Sequence, residues 1–266
     1  MKKIILLSTV LVLLFSFTNK KKEFAPPGTV KISDSLYADM CEINNFSWTE
    51  FEVWMKNKYG SDSKEYRSAL PDTTVWRQTG SYNEPYVQYY YRHPAYKEYP
   101  VVGVSYEQAV EFCKWRTERV KEHMSKNKKY TNVVFEYRLP SKQEWEFLSG
   151  NCTDILKNGG KNGKGQIAFN HRWAKDDEEW MKDVERAGNN YSSDIFAPVF
   201  SYWPNNLKLY NMLGNVAEMV NEKGISKGGS WMNVIDECKI EKDIPYSKPS
   251  AMVGFRCVCS VKKSSS

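Results

Sequence analysis

From Asn151 onward, glycine, asparagine and proline are frequent in this chain, and no apolar pattern repeats at helical spacing. Nearly half of the 266 residues must therefore fold as turns and irregular backbone. Such backbone carries N–H and C=O groups that a helix or sheet would have paired internally, so each needs another partner. Long segments of this kind inside a compact domain usually need pinning by ions, disulfides or function.

The preceding part of the chain is more regular. Residues 28–60, "GTVKISDSLYADMCEINNFSWTEFEVWMKNKYG", begin with the alternation of a strand. At Trp48 the spacing becomes helical, through Phe51, Val53, Trp54 and Tyr59, with Ser47 or Thr49 as N-cap. In "PVVGVSYEQAVEFCKWRTERVKEHM" (residues 100–124) a β run breaks at Ser105, which caps a helix carrying Ala109, Val110, Phe112, Cys113, Trp115 and Val120 on one face. In "RLPSKQEWEFLSG" (residues 138–150), Ser141 and Glu144 form a capping-box pattern after Pro140, and Gly150 ends the helix. The aromatic run "YVQYYYRHPAY" (residues 86–96) reads as a strand packed on the domain, with stacking on sugar or peptide as the second reading.

An apolar fraction of 41% with 26% charged residues belongs to an ordinary globular protein. Residues 1–18 read as a signal peptide: two lysines, then an apolar run from Ile4 to Phe17, short of the ~20 residues a spanning helix needs. An uncleaved N-terminal anchor is the second reading and the only membrane attachment expected. Residues 19–27 form a linker, 28–261 a single α+β domain and 262–266 a flexible tail. The expected location is exported, in the periplasm or cell envelope. The net charge of +6 falls to +4 without Lys2 and Lys3 (6 − 2), and the excess sits in local runs such as residues 121–129. No basic stripe interleaved with stacking aromatics is present, so nucleic acid is not an expected partner. Export gives Cys41, Cys113, Cys152, Cys238, Cys257 and Cys259 an oxidising context, in which six cysteines allow 15 pairings. His93, His123 and His171 show no metal-ligand spacing.

Six segments in order make a distinctive set: "EINNF" (residues 42–46), "YPVVGVSYEQAVEFCKW" (99–115), "YRLPSKQEWEF" (137–147), "APVFSYWPNNLKLYNMLGNVAEM" (197–219), "KGGSW" (227–231) and "GFRC" (254–257). In order and spacing they resemble the formylglycine-generating enzyme, or sulfatase-modifying factor, family. The resemblance spans residues 28–261 and implies a C-type-lectin-like α+β fold with short sheets, two to three helices and much coil. The family's enzymes oxidise a sulfatase cysteine to formylglycine with dioxygen and a copper(I) ion held by two thiolates. Soft thiolates select copper(I), so such a site needs both sulfurs. Here Cys238 stands at the second ligand position and Asn233 at the first, with Ser230 at a position that lines the oxygen pocket. The resemblance therefore implies a vestigial site, and copper is not expected.

Calcium is the cofactor the resemblance implies, as a structural ion. One set is the carbonyls of Leu213, Gly214 and Val216 with the carboxylate of Glu218. The other is Asn170 and Asp194 with the carbonyls of His171 and Phe196. The bland reading of Glu218 is that it accepts hydrogen bonds from a turn. Arg138 and Arg256 are expected to pair with carboxylates such as Glu144 or Glu218. The family also implies a Cys113–Cys257 disulfide. Two functions follow. The first is a non-catalytic component of the cell envelope, resembling gliding-motility and type IX secretion proteins of the Bacteroidetes, with envelope or secretion-machinery proteins as partners. The alternative is a copper-dependent oxidase with an unusual site, pairing Cys238 with Cys257 or Cys259.

Overall fold

A computed structural model describes residues 25–77, 83–126, 133–172 and 196–263. The expected signal peptide and tail tip, and Asp194 of the second calcium set, lie outside these residues.

Two short sheets organise the chain. The first runs β1 (Thr29–Lys31), β2 (Leu36–Asp39), β8 (Val258–Lys263) and β3 (Val133–Arg138), antiparallel throughout, in that spatial order. The last strand is thus inserted between elements from the start and middle of the chain, with Tyr37 opposite Cys259 and Tyr137 opposite Cys259 on its other side. Side chains alternate across a strand, and both faces of this sheet are covered. Tyr37, Phe135, Tyr137, Cys257 and Cys259 enter one core, while Ala38 and Val258 enter another. Residues 257 and 259 share a face, as strand geometry requires. The second sheet, in the order β6 (Ile244–Pro245), β5 (Ile225–Lys227), β4 (Ala217–Met219), β7 (Val253–Gly254), pairs β4 and β7 in parallel.

Two long helices pack on the first core. α4 (Tyr106–Ser125) starts where expected, with Ser105 and Gln108 forming a reciprocal capping box. Its Phe112 stacks on Trp48 of α1 (Asn45–Tyr59), ring centroids 5.4 Å apart and nearly parallel, and Phe255 meets both rings edge-on. Such aromatic pairs add ~0.5–1.5 kcal/mol each beyond the area they bury. α1 begins earlier than the spacing suggested. Asn44 caps it, accepting from the Ser47 amide at 2.9 Å, so Ser47 and Thr49 both lie inside the helix. Val53 and Tyr59 are exposed rather than on the packed face, whose anchors are Trp48, Phe51 and Met55.

Short helices fill out the remainder: α2 (Lys64–Ala69), α3 (Glu84–Tyr89), α5 (Lys142–Leu148) and α6 (Cys152–Lys157). α5 follows the Ser141–Glu144 capping box. α6 stands in the half of the chain expected to lack helices, and six residues are too few for a periodic signal. The aromatic run is not a strand. It forms α3 and a 3-10 turn (Pro94–Tyr96), whose Tyr86, Tyr90 and Tyr96 rings gather around Trp76 and Phe196 in a third, aromatic core. Aromatic residues favour strands only through their packing, and here a helical turn packs them better.

Candidate functional site

The irregular half is held by polar side chains used as substitutes for secondary structure. Asn205 is the simplest case: its Nδ2 donates to the carbonyls of Leu148 and Ser149, and its Oδ1 accepts from the amides of Leu207 and Leu209. Asn211 and Asn215 adopt left-handed backbone at φ +50° and +58°, a conformation that asparagine tolerates better than most residues. Both donate from Nδ2 to the buried carboxyl of Glu42, at 3.1 and 2.8 Å. Burial, aided by the nearby Glu218, pushes Glu42 up from its ordinary 4.5 to about 8, against the opposing pull of Arg256 and the Asn215 amide.

That shift fixes a pH dependence. The folded state holds the Glu42 proton more tightly than the unfolded chain, so the associated stability is complete below pH 4.5 and is lost as pH rises towards 8. Buried His171, whose pKa is lowered, acts in the opposite sense. The melting temperature of Glu42→Gln should therefore fall less between pH 5 and 8 than that of the unmodified protein. Parallel curves for the two would refute the assignment.

Beside this cluster lies the Arg256–Glu218 pair, both side chains fully buried. Arg256 donates Nε to Glu218 Oε2 at 2.6 Å and Nη2 to Oε1 at 2.5 Å, and Trp145 Nε1 adds a bond to Oε2 at 2.8 Å. Arg256 also donates to the carbonyls of Asp39 and Tyr210, tying the first sheet to the long loop. Arg138 and Glu144 form a second bidentate pair, both bonds 2.7 Å. The two arginines thus pair with the carboxylates expected of them. Both carboxylate oxygens of Glu218, the one carboxylate of the first calcium set, face the Arg256 guanidinium. Of the other set, Asn170 lies beside Asn215, its Nδ2 3.5 Å from the Asn215 oxygen. Among the described residues, no group of three or more His, Cys, Asp or Glu side chains is placed to hold a metal.

β5 carries the chain into the glycine turn. Lys227, fully buried, donates to Glu146 at 2.7 Å and to Asp243 at 3.2 Å, and Asp243 also receives Lys142. A buried ammonium is costly unless carboxylates pair with it, and two do so here. Gly228 sits on the Trp145 ring and the Met212 carbonyl, and Gly229, at φ +74°, lies directly against the Cys238 sulfur. A side chain at either glycine would collide, so both are demanded by close approach as well as by the turn.

Beyond them, Ser230 and Asn233 bond to each other, while the Cys238 sulfur lies by Gly229 and the Val234 carbonyl. The Asn233 amide oxygen accepts from the Ser230 hydroxyl at 2.7 Å and from its backbone N–H at 2.9 Å. Its nitrogen donates to Glu237 at 3.0 Å. This local ring of hydrogen bonds closes the turn. Cys238 is buried, its thiol 3.6 Å from the Val234 carbonyl, and burial together with Glu237 pushes its pKa up to about 12. A copper(I) site does not fit this set: it offers one protonated thiol and a hard amide oxygen already engaged by two donors.

The other thiols are placed elsewhere. Cys113 and Cys257 face each other with sulfurs 3.5 Å apart, and Cys259 shares their core. Cys238 belongs to the second core with Cys152. The alternative pairing of Cys238 with Cys257 or Cys259 is thus not the one the fold brings together. Among the residues that organise this region, Glu42, Asn211 and Lys227 were not anticipated. All three lie in the motif segments, in "EINNF", "LYNMLGN" and "KGGSW", and only their burial shows what they do.

The crystal structure of CarF matches this chain with a TM-score of 0.51 and 17% identity, over 85% of this chain and 87% of that one. PvdO from Pseudomonas aeruginosa matches with TM-score 0.44 and 16% identity, over 62% and 63% of the two chains. Treponema denticola variable protein 1 gives TM-score 0.44 and 17% identity over 85% and 84%. No curated protein matches the sequence. The model of the sulfatase-modifying factor enzyme 1-like domain matches residues 8–261, and the chain belongs to that family.

Proposed function

We propose that this protein is an exported, non-catalytic member of the family, serving as a binding or structural component of the cell envelope of the gliding or secretion-machinery type. The observation that supports this most is Asn233, whose amide is bonded to Ser230 and Glu237 at the position where an oxidase would carry its first copper thiolate. The remaining thiol, Cys238, is buried and held protonated. Thiolate, not thiol, is the metal ligand, so loss of one sulfur and protonation of the other act in the same direction. The apolar leader supports export, and the lysine- and asparagine-rich composition supports the envelope class.

The test is oxidation of a Cys-x-Pro-x-Arg peptide by the purified protein with copper(I) and oxygen, with stoichiometric copper binding measured in parallel. Neither turnover above the no-protein control nor bound copper is expected. Turnover by the unmodified protein would establish the oxidase alternative. An Asn233→Cys variant that gains copper binding would show that the thiol was the missing part.

A further inference from the structure

The loop that follows α6 repeats one tripeptide. Within "KNGGKNGKG" (residues 157–165), Lys-Asn-Gly stands at 157–159 and again at 161–163. An asparagine followed by glycine can react with its own backbone, the glycine nitrogen attacking the side-chain carbonyl carbon, because no Cβ restricts the approach. Folding controls that step in three ways. The nitrogen must be open to base and free of a carbonyl partner, the side chain must lie over the following peptide, and the oxyanion formed at Oδ1 must be stabilised.

The two copies differ in these respects. At the second, Gly163 is exposed, its N–H makes no hydrogen bond among the described residues, and a Cβ built there would meet nothing within 4 Å. Asn162 Oδ1 accepts from the amides of Lys164 at 2.9 Å and of Gln166 at 3.0 Å. Bonding to the amide two residues on folds an asparagine side chain over the peptide between them. Two N–H groups aimed at one carbonyl oxygen are also what stabilises an oxyanion. The Asn162 nitrogen, which must leave, donates to Gln166 Oε1 at 3.1 Å. The loop is anchored at its base by the bridge between Lys161 and Ile167 and by the Ala168 amide bonding to the Gly160 carbonyl. At the first copy the nitrogen is engaged instead: the Gly159 N–H donates to the Leu156 carbonyl at 3.1 Å, just past the end of α6. Among the described residues no amide donates to the Asn158 side chain.

We propose that Asn162 is a site of spontaneous deamidation and that the fold protects Asn158 from the same reaction. Hydroxide takes the Gly163 N–H proton, the nitrogen bonds to Asn162 Cγ, and the Cγ–Nδ2 bond breaks. The departing nitrogen takes a proton from water and leaves as ammonia, which restores the hydroxide and leaves a cyclic imide. Water then opens the imide at either carbonyl, giving aspartate or isoaspartate. Overall, water is consumed and ammonia released, with no change of oxidation state. The aspartate product keeps an acceptor for both loop amides. Isoaspartate inserts a methylene into the main chain and opens the Lys161–Ile167 bridge. That change falls next to the glycine turn, because Gly160 lies against His171 and Ile235. The reaction does not depend on whether that turn is catalytic.

The experiment is incubation of the purified, folded protein at mildly alkaline pH, followed by peptide mapping that separates asparagine, aspartate and isoaspartate at each position. The same incubation in denaturing urea runs beside it. Because both asparagines stand in the same Lys-Asn-Gly tripeptide, the unfolded chain supplies the intrinsic rate for each. In the folded protein Asn162 should convert about tenfold faster than Asn158, the factor that freeing one nitrogen and holding the other in a backbone bond supports. In urea the two rates should become alike. Equal rates in the folded protein, faster loss of Asn158, a difference that persists in urea, or retention of both asparagines while the unfolded chain converts would each overturn the proposal.

Discussion

Glu218→Gln should destabilise the protein by ~3–5 kcal/mol, because it leaves the Arg256 guanidinium buried with half of its carboxylate partner gone. The pair is fully buried, so water does not screen the loss. Three strong donors converge on Glu218: two from Arg256, at 2.5 and 2.6 Å, and the Trp145 indole at 2.8 Å. Glutamine can accept from only one side, and its amide N–H groups would face a cation. Arg256→Met should cost a comparable amount, leaving Glu218 charged beside an apolar side chain. The double variant Glu218→Leu/Arg256→Met should recover part of the loss, since an apolar pair carries no desolvation penalty. Denaturant melts of the three variants measure these terms. The same melts in excess calcium and in chelator separate the pair from a cation site. Bound calcium would stabilise the native state by about 2.7 kcal/mol at a hundredfold excess over Kd, and that increment would vanish in Glu218→Gln. The geometry instead gives the same loss in both solutions. A loss under 1 kcal/mol, or one seen only with calcium present, would contradict this reading of the pair.

The features legible in the sequence are those that short-range chemistry determines. Ser105 with Gln108 and Ser141 with Glu144 form capping boxes whose partners sit three residues apart, so no tertiary information is needed to see them. The pairing of Arg138 with Glu144 is nearly as local, across six residues. α1 starts ahead of the two caps the spacing suggested, Ser47 and Thr49, because the isolated bridge between Asn44 and Pro100 holds Asn44 at the helix entrance from over 50 residues away. The run around Tyr90 was misread for the same kind of reason. Its conformation is set by Trp76 and Phe196, which lie on opposite sides of it in sequence.

At the candidate site the division is similar. Ser230, Asn233 and Cys238 lie within nine residues, and the bond between the first two follows from the turn itself. The character of the site does not. That Asn233 is locked by Glu237, that Cys238 lies against Gly229, and that Glu218 is committed to Arg256 all depend on contacts the motif spacing does not contain. A motif identifies which residues converge; burial and partners decide whether a carboxylate is a ligand or half of an ion pair.

Oxidation of Cys113 and Cys257 to a disulfide should stabilise the protein by about 5 kcal/mol on the chain-entropy estimate, less any strain in the native state. The thiols are 144 residues apart in sequence and 3.5 Å apart in space, so the bond would close a loop of more than half the chain. It would tie α4 to the segment entering β8, the central strand of the first sheet. Forming it releases two protons and two electrons, and an oxidising compartment supplies an acceptor for those electrons whereas a reducing one does not. Timing matters too. Burial raises the Cys257 pKa, and the neighbouring Cys113 raises it further. Because thiolate is the reactive species, the folded, reduced protein should oxidise very slowly. The bond should therefore form during folding, before the core closes. Refolding in a glutathione redox buffer should yield the disulfide within the folding time, whereas the native reduced protein should resist the same buffer. Peptide mapping without reductant identifies the pair, and reduction should lower the melting temperature of the unmodified protein but not that of Cys113→Ala. Free thiols at both positions after oxidative refolding, or equal melting temperatures for the oxidised and reduced forms, would show that the contact is no more than close packing.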